Sequence, residues 1–400
     1  MRSLLIALLG LAIQGSAALT PSPPPPPPRP KPHTFFNRTI YSPPKGARAL
    51  YARVAELRDG TLLVTSTVAG GNLFGGGPYQ GFPVWESKDG GASWTWISNI
   101  TDQVNGWGMS AQPALLELRE PLGRFKPGTI LASGNSWSAT GTRIDLYAST
   151  DKARTWQFVS HVAEGGPPNT TNGATPVWEP FLLTYDKQLI VYYSDQRDPL
   201  HGQKLAHQRS SNLLTWGPVV NDVAYSEYLA RPGMTVVAYI PPLDKWIVTY
   251  ELPVGNSSSH GAHYPVHYRL SSSPLTFDSA EARATDAGIV VTLDDQQMAP
   301  NASPYVVWSP VGGPNGTIVV SDADNSQVYV NTKGGDPDAW EIRQSGHPAA
   351  YSRALHVLEK RPDLLMVVGG DTFDGNGWGG LTVSVESVTA LLGRDRRAGQ

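Results

Sequence analysis

Hydrophobic residues along this chain fall in short runs that come in pairs and are separated by turn residues. Each run is rich in β-branched and aromatic side chains, and Gly, Pro, Asp and Asn stand between the runs. Representative pairs are YARVAEL with GTLLVTSTV, WEPFLLTY with KQLIVYYSD, RPGMTVVAYI with DKWIVTYEL, and SRALHVLEK with DLLMVVGGD. A helical period of 3.6 residues is not sustained, whereas runs of this length and composition are typical of β-strands. The pattern therefore predicts an all-β protein.

A turn motif of the form S-x-D-x-G-x-x-W recurs along the chain and divides it into units. It occurs as SKDGGASW and STDKARTW, and weaker copies follow, so that the copies end at Trp94, Trp156, Trp216, Phe277 and Trp340. These end points are about sixty residues apart, which leaves room for six units after residue 33. Repeated units with several strands each are the signature of propeller blades. We predict one domain over residues 34–392, a six-bladed β-propeller.

The turn motif resembles the Asp-box of sialidase-type propellers, which is a structural hairpin. In such a hairpin the Asp side chain accepts hydrogen bonds from the turn backbone, Gly takes a left-handed φ, and Trp packs between sheets. We therefore predict structural and not catalytic roles for Asp89 and Asp151.

The two ends of the chain differ in composition from the repeats. Residues 1–18 combine Arg2, an apolar run and a small-residue cleavage site, which is the pattern of a secretory signal peptide. Residues 19–33 are rich in Pro and predict an extended linker, and residues 393–400 predict a basic tail. We expect a secreted, extracellular protein. Six N-x-S/T acceptor sites favour a glycoprotein, and they lie at Asn37, Asn99, Asn169, Asn256, Asn301 and Asn315.

Composition narrows the classes of function. Only 16% of the residues are charged and the formal net charge is −3, so nothing favours nucleic acid or an anionic membrane as a partner. The chain has no Cys, and a large packed core must therefore stabilise the domain without disulfides. The 12 Trp and 16 Tyr outnumber the 9 Phe, and such amphipathic rings suit the walls of a sugar pocket. We expect a monomer without a metal or an organic cofactor.

Polar residues recur at equivalent ends of the paired strands. Because antiparallel neighbours bring the start of one strand beside the end of the next, both rows should meet on one face around the propeller axis. The starts of the first strands carry Arg53, Gln112, Glu179, Arg231, Tyr305 and Arg353. The ends of the second strands carry Asn135, Asp195, Glu251, Asp322 and Asp371. We predict that these rows form a substrate pocket together with Trp178, Arg197 and Gln203. An ion pair between Arg197 and Asp198 within the loop is an equally good interpretation.

Glu179 and Glu251 stand out within these rows because they occupy adjacent units. Glu179 lies between Trp178 and Pro180, and such apolar neighbours desolvate a carboxyl group and raise its pKa. Two carboxyl groups that face one bond are the usual machinery for glycoside cleavage. We predict that this pair is catalytic.

Several segments together resemble glycoside hydrolase family 93. They are VWEPFL, YYSDQRDPLHGQKLAHQ, LTWG, ARPGMTVVAYI and VTYE, and the likeness is densest over residues 177–252. This family consists of secreted fungal exo-arabinanases, which release arabinobiose from the non-reducing end of α-1,5-linked L-arabinan, a plant cell wall polysaccharide. The resemblance implies a six-bladed propeller and a retaining mechanism with two glutamates at the positions of Glu179 and Glu251. It supports the pair, and we assign Glu179 as nucleophile and Glu251 as acid/base with the reverse order left open. Tyr351 matches a tyrosine that assists catalysis in the family.

Two other functions remain compatible with the sequence. A sialidase would clamp the sugar carboxylate with three arginines, and Arg53, Arg231 and Arg353 lie in three different units. A non-catalytic propeller that only binds carbohydrate would keep the fold without needing two desolvated glutamates.

Overall fold

The structure, a computed structural model, describes residues 34–70, 81–253 and 263–394. The predicted signal peptide (1–18), the linker (19–33), most of the basic tail and the acceptor site at Asn256 lie outside the described residues. The chain begins with strand β1 (Phe35–Tyr41). Six four-stranded antiparallel sheets follow one another along the chain, with β1 joining the last of them.

The first three sheets are each built from four consecutive strands. Blade one contains β2 (Ala47–Glu56), β3 (Leu62–Gly70), β4 (Gly81–Ser87) and β5 (Thr95–Thr101). Blade two contains β6 (Ala111–Glu117), β7 (Ile130–Ser138), β8 (Gly141–Ser149) and β9 (Gln157–Gly165). Blade three contains β10 (Val177–Tyr185), β11 (Gln188–Asp195), β12 (Lys204–Ser210) and β13 (Val220–Val223).

The second half of the ring repeats this plan with one added hairpin. Blade four contains β14 (Gly233–Ile240), β15 (Lys245–Glu251), β16 (Val266–Ser271) and β17 (Ala287–Gly288), with helix α1 (Ala280–Arg283) before its last strand. A hairpin of β18 (Val291–Leu293) and β19 (Gln296–Met298) follows. Blade five contains β20 (Tyr305–Ser309), β21 (Thr317–Ser321), β22 (Gln327–Asn331) and β23 (Trp340–Gln344). Blade six contains β24 (Ala354–Val357), β25 (Leu364–Gly369) and β26 (Leu381–Ser387), and helix α2 (Val388–Gly393) ends the described chain.

The ring is closed by pairing the two ends of the domain. Strand β1 pairs with β26, with Phe35 opposite Val385 and Tyr41 opposite Leu381. The first strand of the domain is therefore the outermost strand of blade six, and blade one begins only at β2. The prediction of six blades is confirmed. The blades do not begin at residue 34, however, because the first strand after that residue belongs to blade six. Strand β1 thereby covers the edge of the last sheet and joins the two ends of the domain.

Hydrophobic side chains pack between neighbouring blades and not within a single sheet. One such cluster joins Val64 and Trp85 of blade one to Met366 and Val383 of blade six. Each sheet has a neighbour on both faces, so its inner strands bury both sets of side chains. This is why β3 and β25 are buried almost throughout and read as continuous apolar runs, without the hydrophobic-polar alternation of a sheet with one solvated face.

The Asp-box turns connect the third and fourth strands of blades one and two. In the first turn the Asp89 carboxylate accepts hydrogen bonds from the Ser93 amide (2.9 Å), the Ser93 hydroxyl (2.6 Å) and the Ser87 hydroxyl (2.8 Å). The indole N–H of Trp94 donates to the Gly91 carbonyl at 2.9 Å. Burial acts to raise the pKa of Asp89, but the bonds from Ser93 and Ser87 hold it below its ordinary value. These contacts fit the structural role predicted for Asp89.

The end of the domain lies slightly beyond the predicted boundary at residue 392. Helix α2 includes Gly393, and the guanidinium of Arg394 lies 2.7 Å from the Glu386 carboxylate and donates to the Gln344 carbonyl at 2.9 Å. Arg394 therefore belongs to the folded domain and not to a solvated tail. Within the described ranges, neither helix has the length and apolar character needed to cross a membrane.

Candidate active site

Each blade has a non-glycine residue with left-handed backbone within its first strand or shortly before it. Strands β2, β6, β10 and β14 each change register close to this residue. The residues are Tyr51 (φ 55), Gln112 (φ 61), Glu179 (φ 63), Met234 (φ 60), Ser303 (φ 38) and Ser352 (φ 55). A bulge of this kind re-aims a side chain and interrupts the ladder, and non-glycine residues hold such a φ only where the surrounding structure enforces it.

The amides at these bulges are hydrogen-bonded to groups of the preceding blade. The Glu179 amide donates to the side-chain oxygens of Gln112 (3.1 Å) and Asn135 (3.0 Å). The Met234 amide donates to the Glu179 carboxylate at 2.7 Å. The Ser303 amide donates to the Glu251 carboxylate at 2.8 Å. Each of the two glutamates is thus held by the blade that follows it.

Glu179 has several partners that favour its ionised form. Besides the Met234 amide, the Ser194 hydroxyl donates to its Oε2 at 2.8 Å. Burial raises the pKa of Glu179, whereas Ser194, the Met234 amide and the positive charges of Arg53 and Arg231 oppose that rise. Hydrogen bonds to a carboxylate and nearby cations both stabilise its charged form.

Glu251 has fewer partners and holds its proton more strongly. It ends β15 opposite Gly233 of β14, and the Ser303 amide is its hydrogen-bond donor. Burial and the negative charge of Glu179 raise the pKa of Glu251 to about 8, against the smaller effect of Ser303. At neutral pH the two glutamates therefore differ, with Glu251 protonated and Glu179 the better candidate for the ionised group.

The two carboxyl groups border the same small space beside Gly233. A Cβ atom at this glycine would lie 3.4 Å from Glu251 Oε1 and 3.6 Å from Glu179 Oε2. It would also lie 3.1 Å from the Nε2 of Gln203. The absence of a side chain at Gly233 thus leaves an open position that both carboxyl groups can reach.

Two arginines lie near this space without an ion-pair partner among the described residues. Arg53 is buried, and its guanidinium lies 4.0 Å from the ring centroid of Tyr51 and donates to the Ser352 hydroxyl at 3.1 Å. Arg231 donates to the side-chain oxygens of Asn172 (2.5 Å) and Gln203 (3.1 Å). Both positive charges act on Glu179, as noted above.

Tyr351 lies at the edge of the same site. Its ring makes an edge contact with Tyr51 (6.3 Å between centroids) and a tilted contact with Phe373 (5.1 Å). Burial and the charges of Glu251 and Glu179 raise the pKa of Tyr351 well above its ordinary value. The phenol therefore stays protonated across the physiological range.

The structure brings together eight of the residues considered in the sequence analysis, namely Glu179, Glu251, Tyr351, Arg53, Gln112, Asn135, Gln203 and Arg231. Trp178 is the first of the predicted residues that do not face the space. It is buried, its indole N–H donates to Gln196 at 2.8 Å, and its ring packs edge-on against Trp137 at 5.6 Å. Trp178 thus supports the Glu179 strand from behind and is not exposed as a sugar-binding surface.

Asp195 and Arg197 bond to each other. The guanidinium of Arg197 donates twice to the Asp195 carboxylate, at 2.8 Å in each case, and also to the hydroxyl of Tyr193 at 2.9 Å. Asp198 pairs instead with Lys204 at 2.6 Å. The ion pair between Arg197 and Asp198 that was considered as an alternative is therefore wrong, because Arg197 pairs with Asp195 and Asp198 pairs with Lys204.

Arg353 and Asp371 also have structural partners. Arg353 is fully buried, and its guanidinium donates to the main-chain carbonyls of Gln327 (2.8 Å) and Ser326 (3.1 Å). This geometry assigns Arg353 to the packing of blades five and six and corrects the expected sugar contact. It also removes one member of the three-arginine clamp that a sialidase would need. Asp371 is buried too, accepts from the Thr372 amide at 2.9 Å and lies 3.7 Å from Arg48.

The sequence analysis missed Tyr51, Ser194, Met234, Ser303 and Phe373. Tyr51 is the bulge residue of blade one, whereas the row of strand starts selected Arg53, two residues later. A Pro follows the left-handed residue in Gln112-Pro113 and Glu179-Pro180, but Tyr51 is followed by Ala52 and has no such signal. Ser194 precedes Asp195 in the sequence, and no local sequence pattern distinguishes it from other serines.

No protein-family model matches the chain, and no curated protein sequence matches it. Solved structures do match. An α-L-arabinofuranosidase of Fusarium graminearum in complex with an iminosugar inhibitor is 43% identical, with a TM-score of 0.82, over 90% of this chain and 99% of that one. An α-L-arabinanase of Penicillium chrysogenum complexed with arabinobiose is 40% identical, with a TM-score of 0.79, over 90% of this chain and 100% of that one.

A more distant match concerns the fold alone. A sialidase of Streptococcus pneumoniae is 10% identical, with a TM-score of 0.56, over 89% of this chain and 71% of that one. The six-bladed propeller and its paired glutamates, taken with the closer matches, define a glycoside hydrolase. The Fusarium graminearum enzyme was also solved with arabinobiose as a member of glycoside hydrolase family 93, at 43% identity and a TM-score of 0.81. This chain belongs to glycoside hydrolase family 93, and the predicted family is confirmed.

Proposed function

We propose that this protein is a retaining, exo-acting hydrolase that releases arabinobiose from the non-reducing end of α-1,5-linked L-arabinan. The observation that carries the proposal is the pair of carboxyl groups, Glu179 and Glu251, which border one space but hold their protons with different strength. The relatives from Fusarium graminearum and Penicillium chrysogenum that were solved with arabinobiose support the choice of sugar.

In the first step Glu179 acts as nucleophile and Glu251 as general acid. A Glu179 oxygen forms a bond to the anomeric carbon of the second arabinose from the chain end. The bond from that carbon to the glycosidic oxygen breaks, and Glu251 donates its proton to the departing oxygen. The shortened arabinan leaves, and arabinobiose stays attached to Glu179 as an ester. The raised pKa of Glu251 suits it to hold the proton that this step needs at neutral pH.

In the second step Glu251 acts as general base. Its carboxylate takes a proton from water, and the water oxygen attacks the anomeric carbon while the bond to Glu179 breaks. Arabinobiose is released with its original anomeric configuration, and both glutamates return to their starting protonation states. Retention requires carboxyl groups about 5–5.5 Å apart, and the shared space at Gly233 is consistent with such a short separation.

The surrounding residues have supporting roles in this proposal. Tyr351 stays protonated, so it can donate a hydrogen bond to the reacting groups but is a poor candidate for the tyrosine nucleophile of a sialidase. Arg231 and Gln203 are the candidates for sugar hydroxyl contacts, because they lie beside the space and are bonded to each other. Asn135 is buried and its role is to hold the Glu179 amide.

We also propose that the protein is secreted and glycosylated. The N-terminal pattern supports export, and the acceptor residues Asn37, Asn99 and Asn169 are exposed. Expression in a eukaryotic host should yield protein in the medium whose apparent mass falls after treatment with an endoglycosidase. Retention of all the protein inside the cells would contradict this part of the proposal.

The activity is tested by incubating the purified protein with linear α-1,5-arabinan and resolving the products by chromatography. Arabinobiose should be the sole early product, and NMR of the fresh product should show the anomeric configuration of the substrate. Mixed oligosaccharides at early times would contradict exo action, and the opposite anomer would contradict retention. Cleavage of a sialoside without cleavage of arabinan would overturn the choice of substrate.

A further inference from the structure

The loop that joins β25 to β26 presents two exposed aromatic rings on the face that carries the paired glutamates. Phe373 is 54% exposed and Trp378 is 58% exposed. Because strands alternate in direction, the end of the second strand of a blade lies on the same face as the start of its first strand. Tyr351, just before β24, and this loop therefore lie on the same face as Glu179.

The Phe373 ring is continuous with the active site. It lies 5.1 Å from the ring of Tyr351, measured between centroids. Tyr351 in turn is near enough to both glutamates for their charges to act on its hydroxyl. The exposed face of Phe373 thus extends the wall of the site outward from the reacting groups.

The loop is held in place from its base. The guanidinium of Arg48 donates to the carbonyls of Thr372 (3.2 Å) and Phe373 (3.1 Å). The Ala49 amide donates to the Gly379 carbonyl at 2.9 Å, so blade one anchors both arms of the loop. The rings are therefore presented by a fixed backbone, which reduces the conformational entropy lost when a ligand binds.

Trp378 combines high exposure with a close contact to the backbone. A Cβ atom at Gly380 would lie 2.1 Å from the Trp378 ring. The indole therefore packs directly on the backbone of Gly380, in a space that a side chain would fill. A flat, supported aromatic face of this kind is suited to the apolar C–H face of a sugar ring.

We propose that Phe373 and Trp378 bind the arabinan chain on the leaving-group side of the cleaved bond, beyond the two sugars that are released. This inference rests on the proposed function. An exo enzyme that releases a disaccharide holds two sugars on the non-reducing side of the cleaved bond, so every other sugar of the chain lies on the leaving-group side. Arabinose residues of the leaving chain stack on the two rings, and the substrate class is therefore an oligosaccharide or polymer and not a short arabinoside.

The test compares Phe373→Ala and Trp378→Ala with Trp96→Ala. Trp96 is a matched control because it is 57% exposed but lies on β5, the outermost strand of blade one. Michaelis constants are measured on arabinotriose and on arabinohexaose, which differ only in the length of the leaving chain. Phe373→Ala should lower kcat/KM on arabinohexaose about fivefold to tenfold, mainly through KM, and should change it less on arabinotriose. Trp378→Ala should also act mainly on the longer substrate.

Additional variants and outcomes separate this inference from the proposed function. Arg48→Ala, which releases the loop carbonyls, should reproduce part of the arabinohexaose defect. Equal losses on both substrates would mean that Phe373 acts only through Tyr351, and that result would overturn the inference. Values of kcat/KM for Phe373→Ala and Trp378→Ala equal to those of the control variant Trp96→Ala would overturn the inference as well. A wild-type protein that is inactive on both substrates would instead contradict the proposed function itself.

Discussion

Carboxyl groups differ in their pKa between the two faces of this propeller, which are the face with the Asp-box turns (the Asp-box face) and the face with Glu179 and Glu251 (the pocket face). On the Asp-box face, Asp151 accepts hydrogen bonds from Thr155 and Ser149, which lower its pKa to about 2 against the effect of burial. On the pocket face, burial and the charge of Glu179 raise the pKa of Glu251 to about 8. A carboxylate with several donors, like Asp151, is held in its charged form, whereas Glu251, with the Ser303 amide as donor and the charge of Glu179 nearby, keeps its proton to higher pH.

The faces also differ in how they are assembled. All the partners of Asp89 lie within one turn, between Ser87 and Ser93. The partners of the Glu179 carboxylate come instead from the adjacent strand of its own blade, through Ser194, and from the next blade, through Met234. Local sequence can specify the first arrangement, while the second exists only once blades three and four have packed together.

The difference between the two faces is tested most strongly by removing a carboxylate from each face in turn. Glu179→Ala and Glu251→Ala should each lower kcat on arabinan by about 10⁴-fold or more, since a nucleophile or acid is lost. Asp89→Ala should leave kcat within about threefold of wild type and lower the free energy of unfolding by about 1–3 kcal/mol. Steady-state kinetics and urea unfolding on the same preparations measure both effects. Full activity in either glutamate variant would refute the assignment.

A second prediction concerns the space between the two glutamates. Gly233→Ala should lower kcat/KM on arabinan about tenfold to a hundredfold, because the added methyl group occupies the position that both carboxyl groups border. Gly217→Ala is the matched control. A Cβ atom there would lie 3.5 Å from the Arg209 carbonyl, an ordinary contact, and its kinetics should equal those of wild type. Equal kinetics for the two variants would mean that the reacting bond lies elsewhere.

A third prediction follows from the raised pKa of Glu251. Because the folded protein holds this proton up to about pH 8 and the unfolded chain only to about its ordinary value of 4.5, stability from this group is complete below pH 4.5 and is lost as the pH rises to 8. Gln resembles the protonated form at every pH. Glu251→Gln should therefore be more stable than wild type at pH 8, by about 4 kcal/mol at about 1.4 kcal/mol per pKa unit, with no difference near pH 4. Thermal unfolding at the two pH values measures this, and an equal effect at both would contradict it.

The smallest expected effect concerns the hydroxyl that donates to Glu179. Ser194→Ala removes a donor to the ionised form, so the pKa of Glu179 should rise and the acidic limb of the kcat/KM profile should move to higher pH. The basic limb should stay in place. Ser133→Ala serves as control, because its buried hydroxyl donates to the Asp145 carbonyl at 2.9 Å and not to a glutamate. An acidic limb that moves equally in both variants would point to a general packing effect.

The fold was largely predictable because its signals are local. The Asp-box turns and the paired apolar runs mark each blade, and the interval between them sets the number of blades. Strand β1 could not be assigned to blade six in this way, since the pairing of Phe35 with Val385 joins the two ends of the domain. The pairing of β1 with β26 is determined by closure of the ring, and the sequence around residue 35 has no pattern that predicts it.

The candidate site was only partly predictable. Glu179 was found because its apolar neighbours are adjacent in sequence, and Glu251 because it ends an equivalent strand. Arg353 was misplaced because a charged residue at a strand start can turn toward the pocket or into the neighbouring blade, and here the guanidinium binds main-chain carbonyls of blade five. Tyr51 was overlooked because sequence does not reveal a left-handed residue other than glycine.

The central claim is that Glu251 stores the proton and Glu179 carries the charge, and the pH profile of kcat/KM tests it most directly. The substrates are arabinan and an aryl arabinobioside whose leaving group needs no proton. Wild type on arabinan should show a basic limb near pH 8, and Glu251→Ala on the aryl substrate should lose that limb while keeping the acidic one. A basic limb that persists in Glu251→Ala, or an acidic limb that disappears with it, would contradict the account and reverse the roles of the two glutamates.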